Sequence, residues 1–145
     1  MKGVAVVETV ENKIFMIRGH RVMIDRDLSR LYGVPTKRLN EQVKRNIMRF
    51  PVDFMFQLTK EEALISQYGT SGSRSQIATL KKGKNIKYLP YVFTEQGVAM
   101  LSSVLNSERA AQVNIAIMRA FVKLREILAT HKELAHKLAE LEQKI

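Results

Sequence analysis

The sequence predicts an α+β fold: an N-terminal β-hairpin, a helix-turn-helix, a basic β-hairpin wing, and two C-terminal helices, the last extending as a heptad stub. Three observations predict it. Short β-rich runs alternate with turn residues through the first two thirds of the chain. Two short helical patterns flank Gly33-Val34-Pro35. Apolar residues then recur at alternating spacings of three and four from Ile117 to Ile145. The 145 residues suit one domain with an appendage, and we expect residues 12–126 as the domain and 127–145 as an amphipathic, coiled-coil-like extension.

Lys13 to Ile24 holds two β-rich runs around Gly19, the pattern of a tight hairpin. Asp25 offers an N-cap to a first helix, and Asp27 adds negative charge to its first turn. Leu28 and Leu31 give that helix an apolar stripe, and Gly33 ends it. Pro35 suits the first turn of a second helix, where Leu39, Val43 and Ile47 form one buried stripe. Phe50-Pro51 closes it. Val52 to Leu58 reads as a strand, and Thr59-Lys60-Glu61-Glu62 as a capping box. Gly69 to Ser75 is polar. Ser75 to Leu80 and Asn85 to Val92 read as strands on either side of a Lys81–Lys84 turn. Phe93-Thr94 opens the next helix, with Thr94 as cap and Phe93 stapled onto Val98. Asn106-Ser107 breaks the chain, and Ser107 offers a cap to the last helix. There Val113, Ala116, Phe121 and Val122 broaden the apolar surface of the first half, whereas the second half keeps a narrow stripe.

Composition narrows the function. Twenty-four Lys and Arg against fourteen Asp and Glu leave a formal charge of +10, which favours a polyanionic partner. The excess is local. Residues 13–49 carry ten cations against three acids, and residues 74–87 carry five cations and no acid. With no cysteine there is no disulfide frame and no thiol nucleophile. Three scattered histidines make no metal site. The early apolar run Val4 to Val7 is too short for a signal peptide or a membrane span, so we expect a cytoplasmic protein with no membrane partner.

The helix-turn-helix carries the functional expectation. In such units the second helix enters the major groove while the first braces it. Opposite the Leu39, Val43, Ile47 stripe lie Lys37, Arg38, Glu41, Lys44, Arg45 and Met48, flanked by Asn40 and Arg49. The cations reach phosphates or guanine edges, and Asn40 suits adenine. A solvated charged face gives the same pattern. The second island, Arg74, Lys81, Lys82, Lys84 and Lys87, has the form of a wing beside a recognition helix.

The runs RFPVDFMFQLTKEE (Arg49 to Glu62), SRSQIATLKKG (Ser73 to Gly83) and YLPYVFTEQGVAML (Tyr88 to Leu101) resemble the KilA-N-type DNA-binding domains of phages and their bacterial hosts, in the ORF-six N-terminal branch. The resemblance spans about Asn12 to Glu126. It implies an α+β DNA-binding module of phage or prophage regulators, with no enzymatic activity and no cofactor. The chain departs from it by ending inside a heptad run.

Acidic residues add no catalytic set. Glu95, Glu61 and Glu62 stand at helix starts, where the dipole favours them. The expected function is therefore a sequence-specific transcriptional regulator that binds double-stranded DNA. Two rivals use the same features: an antirepressor-type module meeting a phage or host regulatory protein through the C-terminal helix, and an RNA binder. The seam of Ile127, His131, Leu134, Leu138, Leu141 and Ile145 predicts a homodimer, which as a parallel pair would face His131 with its own copy.

Overall fold

A computed structural model of the chain describes residues 10–68 and 88–144. Residues 10–13 are helical. Strands β1 (Phe15–Ile17) and β2 (His20–Ile24) form the expected hairpin. Helices α1 (Asp25–Tyr32) and α2 (Thr36–Arg45) follow, then a 3-10 turn over Ile47–Arg49. Strand β3 (Met55–Gln57) leads into α3 (Lys60–Tyr68). Strand β4 (Tyr91–Thr94) runs directly into α4 (Glu95–Leu105), and α5 (Glu108–Gln143) is one unbroken helix of 36 residues. It crosses the expected boundary at residue 126 without a break. The mixed α+β class is as expected.

The four strands form one antiparallel sheet in the order β1-β2-β4-β3. Side chains alternate across a strand, so register decides which residues share a face. Here Met23, Phe93 and Met55 line up across three strands, as do Ile24, Val92 and Phe56. The first row joins the larger core with Leu28, Tyr32, Leu39, Val98, Leu101 and Ile117 from the helices. The second joins a smaller cluster with Leu58 and Ala63 at the start of α3. Helices thus cover both faces of a small sheet.

Turn chemistry explains the connections. Arg18 and Gly19 both take positive φ, 53° and 78°, as a two-residue hairpin with mirror-image turn geometry requires. Arg18 does so despite its Cβ. Its guanidinium lies 4.4 Å from the Phe56 ring centre and donates two 2.8 Å hydrogen bonds to Glu62. Glu62 closes the expected capping box: Thr59 N–H donates to its carboxylate at 2.8 Å, and its own N–H donates to Thr59 Oγ1 at 3.2 Å. The paired Arg18 guanidinium, then these capping bonds, hold the Glu62 carboxyl well below its ordinary range, at about 2. Thr94 caps α4 through Gly97 N–H, and Ser107 caps α5 through Ala110 N–H, both as the sequence predicts. A Cβ on Gly97 would stand 2.0 Å from the Phe54 carbonyl oxygen, so the approach of α4 to the β3 entry requires glycine.

Several expectations are corrected. Ile24, not Asp25, is the N-cap of α1, and Asp25 is its first helical residue. Pro35 stands at the N-cap of α2, one position before the first turn. Ile47 is not in the buried stripe: α2 ends at Arg45, the chain turns at Asn46, and the 3-10 turn rotates Ile47 outward to 50% exposure. The strand expected from Val52 to Leu58 shrinks to β3 because Phe54 and Met55 N–H both donate to the Pro51 carbonyl, folding residues 52–54 into a turn. Of the strand expected over Asn85–Val92, residues 88–90 are irregular, and β4 includes Phe93 and Thr94. Pairing with both β2 and β3 holds those two in the sheet. The polar stretch Gly69 to Ser75, the strand Ser75 to Leu80 and the Lys81–Lys84 turn lie outside the described residues.

Candidate nucleic-acid interface

Helices α1 and α2 pack on each other across the short turn 33–35. Gly33 takes φ 74° at the end of α1, and its N–H donates to the Arg30 carbonyl at 3.2 Å. Val34 N–H reaches back to the Ser29 carbonyl at 3.0 Å. Ser29 and Thr36 hydroxyls meet at 2.7 Å across the turn. The Arg109 guanidinium from α5 covers the same corner, donating to the Leu31 carbonyl at 3.2 Å, where the negative end of the α1 dipole favours a cation. Leu39 and Val43 bury the inner face of α2 in the larger core.

The outer face of α2 presents Lys37, Arg38, Glu41, Lys44 and Arg45 to solvent. Among the described residues, none of the four cations is in an ion pair. No acidic residue occupies the first turn of α2, so its positive dipole end adds to theirs. Lys37 and Lys44 border an open cavity of about 520 Å³ that Arg26 of α1 also lines, a cation that the helical arc of α2 alone could not reveal. Arg38 and Arg45 border a second concavity of about 450 Å³ on the other flank. Arg49 lies beyond α2 in the 3-10 turn, exposed, and its Nη1 reaches Ser103 Oγ of α4 at 3.5 Å.

Asn40 behaves differently from its neighbours. Its amide nitrogen donates to Asp25 Oδ2 at 3.1 Å and to the Tyr88 hydroxyl. The structure turns it inward, so its donors are committed to the fold and are not free for an adenine edge. Asp25 is the centre of this cluster. Fully buried, its carboxylate accepts from Arg26 N–H at 2.7 Å, Tyr91 N–H at 3.2 Å, the Tyr88 hydroxyl and Asn40. Burial, and then the bond to the Asp25 carboxylate, push the Tyr88 phenol above its ordinary value. The cluster ties α2 to the segment entering β4. Sequence reasoning missed it because its partners lie 15 and 63 residues from Asp25 along the chain.

A second missed link lies in the core. Asn114 of α5 accepts from the Tyr32 hydroxyl and donates to the Val98 carbonyl at 2.7 Å, joining α1, α4 and α5. Arg74, Lys81, Lys82, Lys84 and Lys87, the expected wing cations, lie outside the described residues, as does Ile145 of the expected seam. The other seam residues, Ile127, His131, Leu134, Leu138 and Leu141, follow one another along the exposed half of α5.

Among the described residues, no group of acidic or histidine side chains is placed to hold a metal ion, and no helix is long and apolar enough to cross a membrane. A family described as the ORF6N domain matches residues 12–104, most of the chain up to the end of α4. No curated protein and no solved structure matches the chain.

Proposed function

The chain belongs to the ORF6N domain family, a phage-associated family, and on that premise we propose that it is a sequence-specific, DNA-binding transcriptional regulator of phage or prophage type. In this proposal the unit is of the KilA-N kind, acts in the cytoplasm and carries no catalytic step or cofactor. Helix α2 enters the major groove, with Arg38, Lys44 and Arg45 at base edges and phosphates and Lys37, Arg49 and Arg26 on the backbone. The segment with Arg74, Lys81, Lys82, Lys84 and Lys87 holds phosphates beside it. The observation that carries the reading is the cationic face of α2, without an ion pair among the described residues and held outward by two helices whose joining corner is pinned by Ser29, Thr36 and Arg109.

A gel-shift titration on duplex DNA and duplex RNA, repeated over salt, tests it. DNA binding is expected, with log K falling against log salt at a slope of roughly −5 to −8, the signature of about six to nine phosphate contacts. A slope shallower than about −2, or a preference for duplex RNA, overturns it. The two basic islands are expected to separate. Replacing Lys81, Lys82 and Lys84 with Ala weakens all sequences alike. Replacing Arg38, Lys44 or Arg45 also changes preference, by roughly 1–3 kcal/mol for a true base contact.

The bare stripe of α5 favours a second reading, an antirepressor-type module that grips a phage or host regulatory protein. A shift that needs no DNA, only an added repressor, would identify it.

A further inference from the structure

Beyond Arg125, α5 leaves the packed unit and keeps its seam. Ile127, Leu134, Leu138 and Leu141 lie 39–61% exposed, with Leu128 beside them at 51%. A run of aliphatic side chains on one face of a solvated helix calls for a covering surface. We propose that a second copy of this chain covers it, with the two segments paired antiparallel from Leu124 to Leu141.

Three observations select that occupant and that direction. The first is spacing. Leu124, Ile127, His131, Leu134, Leu138 and Leu141 alternate by three and four, the pattern that meshes with another helix of the same repeat. The second is charge. On a protein of net charge +10, residues 127–144 hold three Lys and three Glu, so two copies of the segment meet without net repulsion. The third is the folded unit itself. Ile117 and Ala120, the next seam positions toward the N-terminus, are completely buried by their own domain. The Lys123–Glu11 and Arg125–Glu95 ion pairs bring that domain up to the start of the exposed stretch. A parallel partner helix would continue along the seam onto Ile117 and Ala120 and collide with the domain. An antiparallel partner brings only the last turn of its α5 to this domain and carries its own domain to the far end of the pair.

Heptad geometry then picks the register. Pairing Leu124 with Leu141, Ile127 with Leu138 and His131 with Leu134 fills every layer from both sides. It sets Leu128 opposite Ala135, covering the apolar side chain that the strict seam leaves out, and Thr130 opposite Lys137. Sliding by one heptad instead sets Lys137 against its own copy. The eighteen overlapping residues span about 27 Å, a contact at the small end of specific interfaces. His131 adds a polar group to it, so the dimer is of micromolar strength.

Sedimentation equilibrium of the full chain tests the occupant. A dimer at about 100 μM that dissociates on dilution is expected, with Leu138→Glu monomeric throughout and its thermal melt at low concentration unchanged. A monomer at every concentration, or a Leu138→Glu chain that still dimerises, overturns the proposal. Because the chain has no cysteine, direction is read by oxidation of single-cysteine variants. A mixture of His131→Cys and Leu134→Cys chains is expected to form the mixed disulfide. His131→Cys alone cross-linking to itself with the mixed product absent establishes a parallel pair and overturns the antiparallel one.

Discussion

The two halves of α5 carry the same spacing in opposite surroundings. From Ala110 to Phe121 the inner face, Ala110, Ile117, Ala120 and Phe121, is buried in the larger core, and Asn114 on the same face has both ends of its amide bonded. From Ile127 to Leu141 the stripe continues and the cover stops. Periodicity states which face of a helix is apolar, not what lies against it. The half that meets the domain has additional apolar residues beside the seam, Ala116 and Phe121 among them. The half that leaves it has Leu128 as its one large addition. Width of the apolar face, rather than its period, separates burial on a domain from exposure along a free helix.

The largest expected effect contrasts the halves directly. Ile117→Ala should destabilise the chain by about 2–5 kcal/mol in chemical denaturation, because it opens a cavity in the core. Leu134→Ala, measured at low micromolar protein where self-association is weak, should change stability by about 0.5 kcal/mol or less. Equal losses would mean that the far half packs on the domain. Next, Asn114→Ala should cost about 1–3 kcal/mol by the same measurement, since it leaves the Tyr32 hydroxyl unpaired in the core and removes the bond to the Val98 carbonyl. A Tyr32→Phe, Asn114→Ala double variant that loses less than the sum of the singles would confirm the pair acts as one link.

The smallest effect is a pH dependence confined to the packed unit. Glu62 has its carboxyl pKa lowered to about 2 in the folded chain. The folded state therefore binds fewer protons than the unfolded one between the ordinary carboxylate range and about pH 2. The stabilisation is complete above the unfolded pKa and is lost as pH falls through that window. Wild type and Glu62→Gln should differ in urea midpoint near neutral pH and converge toward pH 2. A difference that is unchanged at low pH would remove the Arg18–Glu62 pair as its source.

Much of the architecture was legible in local chemistry. The hairpin at Gly19, the αL stop at Gly33, the capping box at Thr59 and the caps at Thr94 and Ser107 each depend on a few neighbouring residues, and each stands where the sequence predicts it. The outward cations of α2 were legible for the same reason, since one helical period places them opposite Leu39 and Val43. The strand limits were not. The Val52–Leu58 run is rich in apolar and aromatic residues, yet the Pro51 carbonyl captures two successive N–H groups and leaves three residues for pairing. Asn40 has the composition of a base-reading residue, and its position on the wheel does not reveal that Asp25 and Tyr88 already hold it.

By itself, the sequence determined the hairpin at Gly19, the stop at Gly33, the caps at Thr59, Thr94 and Ser107, the charge of each island and the inner face of α2 at Leu39 and Val43. All of these follow from interactions within a few residues or from simple addition. Tertiary structure decided the strand order β1-β2-β4-β3, the role of Asp25 as the anchor of α2, and the point near Arg125 where α5 leaves its domain. Those outcomes depend on which distant surfaces meet. A backbone hydrogen-bond edge, a buried carboxylate or an apolar stripe leaves its partner unspecified until the chain has closed around it.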